Sequence, residues 1–173
     1  NGWPPKRLWE RNVGRGCTSP AIVAGKLYVM GWAGDAISEK GEDTLYCFDA
    51  QSGRELWKQS YPCPYQGRKR VGDERLYGGP CSTPSFDLAT GHLFTLSVDG
   101  DLRCWDANQQ GKLVWAKSLY DEYDVPQRPF TGKEARDYGY TSAALLLGGS
   151  LVVEVGASQG TVMAFDKRTG RQQ

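Results

Sequence analysis

Thr44-Leu-Tyr-Cys-Phe-Asp-Ala-Gln-Ser-Gly-Arg-Glu-Leu-Trp57 reads as a strand, a tight turn and a second strand that carries a tryptophan. The pattern returns as Asp101-Leu-Arg-Cys-Trp-Asp-Ala-Asn-Gln-Gln-Gly-Lys-Leu-Val-Trp115. It begins a third time as Thr161-Val-Met-Ala-Phe-Asp-Lys-Arg-Thr-Gly170. Asp49, Asp106 and Asp166 each close an apolar run, where an Asp side chain accepts from backbone N–H groups further on and starts a turn. Gly53, Gly111 and Gly170 supply the positive φ that such a turn needs. Trp57 and Trp115 each stand four residues after the glycine. The same count puts a Trp directly after Gln173, so the chain is expected to stop inside a repeat unit.

Outward from these turns the same four-strand unit can be read twice and a half. Unit one takes Cys17–Val23, Leu27–Trp32, Thr44–Phe48 and Glu55–Gln59, with a polar loop expected over 33–43. Unit two takes Cys81–Phe86, His92–Ser97, Leu102–Trp105 and Lys112–Lys117; unit three takes Thr141–Leu147, Leu151–Val155 and Thr161–Phe165 and lacks its fourth strand. The spacing is 57 residues from Asp49 to Asp106 and 60 from Asp106 to Asp166. Four-strand units repeating at that period point to an all-β propeller of antiparallel blades, about three of them present. Apolar residues fall on both faces of the strands, as in Leu145-Leu146-Leu147, which suits blades buried between two neighbours. A two-sheet sandwich would supply seven or so strands without three matching Asp/Gly/Trp sets.

Composition narrows the function classes. A net charge of +1 argues against general electrostatic binding to nucleic acid or an acidic membrane. No run of eighteen apolar residues exists to span a membrane, and no signal-peptide pattern stands at Asn1. Five cysteines without a Cys-x-x-Cys are too scattered for a disulfide scaffold. Cys17 and Cys81 occupy equivalent positions, with Tyr140 read at the third, and strands of neighbouring blades are expected to lie too far apart for a bridge. Cys47 and Cys104 are also equivalent, and all four read as small buried residues. Cys63, in Tyr61-Pro-Cys-Pro-Tyr65, is read as the exposed thiol. His92 is the only histidine, which leaves no His-based zinc site or Ser-His-Asp triad within the chain.

The pattern Phe-Asp-Ala-x-x-Gly-x-x-Leu-Trp resembles the repeat of the pyrroloquinoline-quinone-type (quinoprotein-like) propellers. Tyr77–Pro84, Thr95–Cys104 and Gly139–Ser142 with Leu151–Val155 are similar to BamB-like members common in planctomycetes. The resemblance implies seven or eight blades in the whole protein, with Trp57 and Trp115 docked between blades as structural residues. It implies an N-terminal strand, Lys6–Glu10 with Trp9, that completes the last blade. The chain then divides into that strand and its link (1–16), blade one (17–60), a loop (61–80), blade two (81–119), a second loop (120–139) and an incomplete blade three (140–173). It also implies a periplasmic or extracellular, non-catalytic scaffold without a cofactor, held by a protein partner or by further blades of its own chain. The alternatives are part of a quinoprotein dehydrogenase using pyrroloquinoline quinone and calcium, or a carbohydrate-binding module attached to an enzyme. The adjacent cysteines expected of the dehydrogenases are absent from this sequence.

Antiparallel order places the second-to-third-strand loops and the links between units on one face. The long excursions 33–43, 60–80 and 118–139 all belong to that face, and long loops on a rigid scaffold are where binding resides. Tyr65, Arg68, Arg70, Tyr77, Tyr123, Arg128 and Tyr138 are the candidate binding residues there. Arg68-Lys-Arg70 suggests an acidic partner, set against a plain solvated loop. Asp121, Glu122 and Asp124 offer oxygen ligands for a hard cation, set against a merely polar loop.

Overall fold

A computed structural model describes residues 5–35, 40–64, 79–123, 125, 130–131, 134–135, 139–158 and 160–173. Strands β1 (Ala21–Val23), β2 (Lys26–Asp35), β3 (Lys40–Asp49) and β4 (Glu55–Pro62) form one antiparallel sheet in sequence order. Strands β5 (Ser85–Asp87), β6 (His92–Leu96), β7 (Asp101–Asp106) and β8 (Lys112–Ser118) form a second of the same order. A short helix α1 (Leu119–Tyr123) and a two-stranded pair, β9 (Phe130–Thr131) and β10 (Glu134–Ala135), occupy the second link. The third sheet holds β11 (Leu145–Leu147), β12 (Ser150–Ala157) and β13 (Gly160–Asp166). Gln172 bridges Phe165 and the Gln173 N–H donates to the Ala164 carbonyl at 2.9 Å, so a fourth strand begins on β13.

The polar loop expected over 33–43 is mostly strand. Trp32 pairs Asp43, and the ladder continues through Ala33–Glu42 and Gly34–Gly41 to Asp35–Lys40. Backbone pairing extends this hairpin beyond the apolar residues, because a ladder needs N–H and C=O groups and no particular side chain.

All three turns use the Asp side chain as a backbone acceptor. Asp49 Oδ1 takes the Ser52 N–H at 2.7 Å, Asp106 Oδ1 the Asn108 N–H at 2.9 Å and Asp166 Oδ1 the Thr169 N–H at 2.8 Å. These bonds favour the ionised form and hold the Asp49 and Asp166 carboxyls below their usual range, with Ser52 and Thr169 the chief causes.

The three sheets stack face to face with an apolar core at each junction. Tyr28, Met30, Leu45 and Cys47 of the first pack with Leu93, Trp105 and Ala107 of the second. Phe94, Leu96, Leu102 and Cys104 pack with Leu151, Val153, Met163 and Phe165 of the third. Leu45 and Leu102 are 0% exposed; Val162, at the same register position in the third sheet, is 62% exposed on the outward face.

The tryptophans lock one sheet to the next through the turn glycines. A Cβ on Gly53 would lie 2.5 Å from the Trp9 ring, one on Gly111 2.5 Å from Trp57 and one on Gly170 2.9 Å from Trp115. Only glycine lets a ring approach the backbone this closely. The indole N–H of Trp9 donates to Ala50 O at 3.0 Å, and that of Trp115 to Lys167 O at 3.2 Å. Each acceptor is the residue after the turn Asp.

Lys167 adds an ion pair across the second junction, its Nζ 2.8 Å from Asp87 Oδ2, with side chains only 12% and 10% exposed. Although burial opposes ionisation, the hydrogen bond from Lys167 and those from Thr90 and Ala89 leave Asp87 below its ordinary value. Its contribution to stability is therefore present at neutral pH and lost as pH falls through that depressed value. Lys167→Met is expected to cost about 1–3 kcal/mol at pH 7, because the buried Asp87 carboxylate is left without its cation. The cost should shrink as pH falls below the ordinary Asp range; urea midpoints of the variant and parent at pH 7 and along an acid series measure it.

Candidate binding face

The loop between β6 and β7, the start of the second link and the end of the first sheet come together. Residues 97–101 form a tight turn in which Ser97 Oγ accepts from the N–H groups of Asp99 (3.1 Å) and Asp101 (3.0 Å). The Gly100 carbonyl then accepts from Leu119 N–H at 2.9 Å and so anchors α1. Gly100 has φ +83°, and a Cβ there would lie 2.8 Å from Tyr120 and 3.1 Å from Tyr140. Those two rings meet at a tilt of 55° with centroids 5.2 Å apart, and Tyr140 OH donates to Val155 O at 2.6 Å. On the other side the Trp32 indole N–H donates to Cys63 O at 2.9 Å.

Between these parts lies an open cleft of about 410 Å³, lined by Pro64, Asp99, Asp101, Ser118, Tyr120, Asp121 and Val125. Three carboxyl groups and two hydroxyls make it a cleft for cationic or donor-rich groups. Beneath it Asp43 is fully buried. Tyr61 OH donates to Asp43 Oδ2 at 3.2 Å, while Asp43 Oδ1 has no hydrogen-bond partner among the described residues. Burial pushes the Asp43 carboxyl up to about 7; Tyr61 and Cys63 pull the other way, and the negative charges of Asp99 and Asp101 add to the rise. Burial likewise raises Asp101, against the opposing pull of Arg103, whose Nη2 lies 3.1 Å from Asp101 Oδ1. The Arg103 guanidinium also stacks 3.8 Å from the Tyr61 ring centre, a cation–π contact away from bulk water.

Of the residues expected on this face, Tyr123 is described. It is half-buried, edge-on to Phe165 at 5.9 Å and close to Lys117 Nζ, so it braces α1 against the third sheet. Tyr65, Arg68, Arg70, Tyr77, Arg128 and Tyr138 lie outside the described residues, as does Asp124. Glu122 pairs with Lys117. Among the described residues no three His, Cys, Asp or Glu side chains converge as a metal site.

The cysteines differ from expectation. Cys63 is 0% exposed and its thiol donates to Asp99 Oδ2 at 3.4 Å, because β4 runs on through Pro62 and carries it under the cleft. Cys17 is the exposed thiol and Cys81 is half-buried, whereas Cys47 and Cys104 are buried as expected. Sheet register sets Thr141, not Tyr140, level with Cys81, since Phe86 pairs Leu93 as Leu146 pairs Leu151. His92 is half-buried beside a short turn, 6.5 Å from Phe94 and edge-on to it. What sequence reasoning missed here is Asp43 and Cys63, both assigned to polar loops.

Stacked antiparallel sheets of three and four strands, keyed ring-to-glycine, define a β-propeller of the quinoprotein-like class. The chain belongs to the family described as outer membrane protein assembly factor BamB, whose model matches residues 42–173. Among solved structures it is similar to BamB from Moraxella catarrhalis, with a TM-score of 0.56 and 17% identity over 95% of this chain and 41% of that one. It is also similar to a europium-containing methanol dehydrogenase, with a TM-score of 0.57 and 21% identity over 96% of this chain and 26% of that one. The chain thus spans less than half the length of either. No curated protein matches the sequence. No helix among the described residues is long and apolar enough to cross a membrane.

Proposed function

We propose that this chain is part of a non-catalytic propeller scaffold of the cell envelope, periplasmic or extracellular, that takes a protein partner on its long-loop face. The observation that carries the reading is the acidic cleft at the junction of the first two sheets. It is formed where Asp99, Asp101 and Asp121 are presented from a turn and a helix anchored to each other by the Gly100–Leu119 bond. Rigid blades fix the spacing of these groups, and acidic groups in a cleft select a partner with basic side chains. The BamB family membership supports a binding role rather than a reaction.

The same reading makes the three sheets part of a larger ring of seven or eight blades, with the strand around Trp9 completing the last of them. The outward face of the third sheet supports it. Leu145, Leu147 and Val162 are 62–65% exposed there, where the first two sheets bury the position of Val162 completely.

A photo-crosslinking residue placed at Asp121 or, on the opposite face, at Asn108 tests the assignment in the envelope fraction. Protein adducts are expected from position 121 and not from 108, with loss on reversing charge at Asp99. Equal labelling from both faces overturns the reading. So does quinone-dependent alcohol oxidation after reconstitution with pyrroloquinoline quinone and calcium.

A further inference from the structure

We propose that Cys17 and Cys81 form a reversible disulfide that fastens the first blade to the second at the start of their first strands. The backbone brings the two residues together. Cys17 N–H donates to the Pro80 carbonyl at 2.9 Å. A Cβ on Gly79 would lie 2.3 Å from Arg15 O, and one on Gly16 would lie 3.3 Å from Pro80 O. Residues 15–17 therefore lie against 79–80, with the Cys17 nitrogen bonded to the carbonyl of the residue before Cys81. A 2.9 Å bond from the Cys17 nitrogen to the carbonyl oxygen of Pro80 holds the Cys17 and Cys81 Cα atoms within about 7 Å of each other. Cα atoms within about 7 Å are what a disulfide requires. The expectation from the sequence took whole strands as the neighbours. The approach is made by the segments ahead of β1 and β5, where two glycines remove the Cβ atoms that would hold the backbones apart.

Accessibility singles out the same pair. Cys17 is exposed and Cys81 half-buried. Cys47 and Cys104 are 0% exposed, and burial pushes their thiols up to about 11 and about 12, which keeps them protonated and inert. Cys63 is enclosed and engaged with Asp99. Cys81 Sγ makes a long contact to Gly79 O at 3.6 Å, which a turn about χ1 exchanges for the Cys17 sulfur.

The oxidant is a low-molecular-weight disulfide. Cys17 thiolate attacks one of its sulfurs, breaking that S–S bond and expelling one thiolate, which takes the Cys17 proton. Cys81 thiolate then attacks the mixed disulfide at the Cys17 sulfur. The second small thiolate leaves and takes up the Cys81 proton, so two electrons and two protons pass from the protein to the oxidant.

The native chain is treated with oxidised glutathione, quenched with an alkylating agent, and mapped in denaturant. Alkylatable thiols are expected to fall from five to three, with Cys17- and Cys81-containing peptides joined and two hydrogens lighter. Cys17→Ser and Cys81→Ser should each abolish the joined peptide, and Cys63→Ser should leave it. The bridge closes a loop through the whole first sheet, so the thermal midpoint should rise by about 5–10 °C and fall back on reduction. The proposal is overturned if all five thiols remain, if Cys17 stops at the glutathione adduct while Cys81 is intact, if Cys81 joins Cys63, or if only bridges between molecules form.

Discussion

Gly111→Ala is expected to destabilise the protein by about 2–5 kcal/mol. Two costs add. Gly111 has φ +73°, where an L-residue with a Cβ pays about 1–2 kcal/mol. The new methyl would also sit 2.5 Å from Cζ3 of Trp57, so the ring must leave its seat, and overpacking of this kind costs about 1–3 kcal/mol. Gly148→Ala separates the two. Its φ is +58° but nothing lies within 4 Å of the added atom, so only the backbone cost should appear. Chemical denaturation of the two variants should differ by at least about 1 kcal/mol. A double variant with Trp57→Ala should recover the steric part of the Gly111→Ala loss, leaving it equal to the Gly148→Ala value. Equal losses at the two glycines in the parent background would show that the ring has room to move and that the joint is looser than its geometry.

The second large effect is a pH dependence centred on Asp43. Burial raises its folded pKa to about 7, above the ordinary Asp value of 3.8. The native state therefore holds this proton where the unfolded chain has released it. The stability the protonated form provides is complete below about pH 4 and is lost as pH rises through 7. That rise corresponds to roughly 4 kcal/mol across the range. Asp43→Asn keeps an oxygen for the Tyr61 hydroxyl and removes the charge. At pH 8 the variant is expected to be about 2–4 kcal/mol more stable than the parent, and at pH 4 nearly equal to it. The difference between the two profiles isolates Asp43 from Asp87, whose dependence runs the other way. Parallel profiles from pH 4 to pH 8 would mean that water or a cation reaches the carboxylate in the folded state.

The joints between blades were legible in the sequence because each part is required locally. An Asp must receive backbone N–H groups, a Gly must take positive φ, and a Trp recurs at fixed distance from both. Asp43 and Cys63 were not legible for a common reason. Each is a polar or small residue in a polar run, and each is buried by a strand that outlasts its apolar residues and by the 97–101 turn of the next sheet. Nothing within ten residues of either announces that neighbour. The approach of Cys17 to Cys81 is similar. Gly16 and Gly79 are what permit it, but a glycine in a link reads equally well as a plain turn. The chemistry of the long-loop face was legible only as a place, since its acidic cleft combines a turn, a strand end and a helix from two separate stretches.

The ring-on-glycine contacts also give the chain a direction of assembly. In each of them the indole comes first and the glycine follows roughly fifty residues later. A polypeptide leaving the ribosome therefore always presents a finished anchor before the blade that will hang from it emerges. Every addition closes a loop of similar length, so the entropic toll of adding a blade does not grow with the number already in place. Growth from the amino end can proceed like the addition of tiles to a row, each waiting only for the one before it.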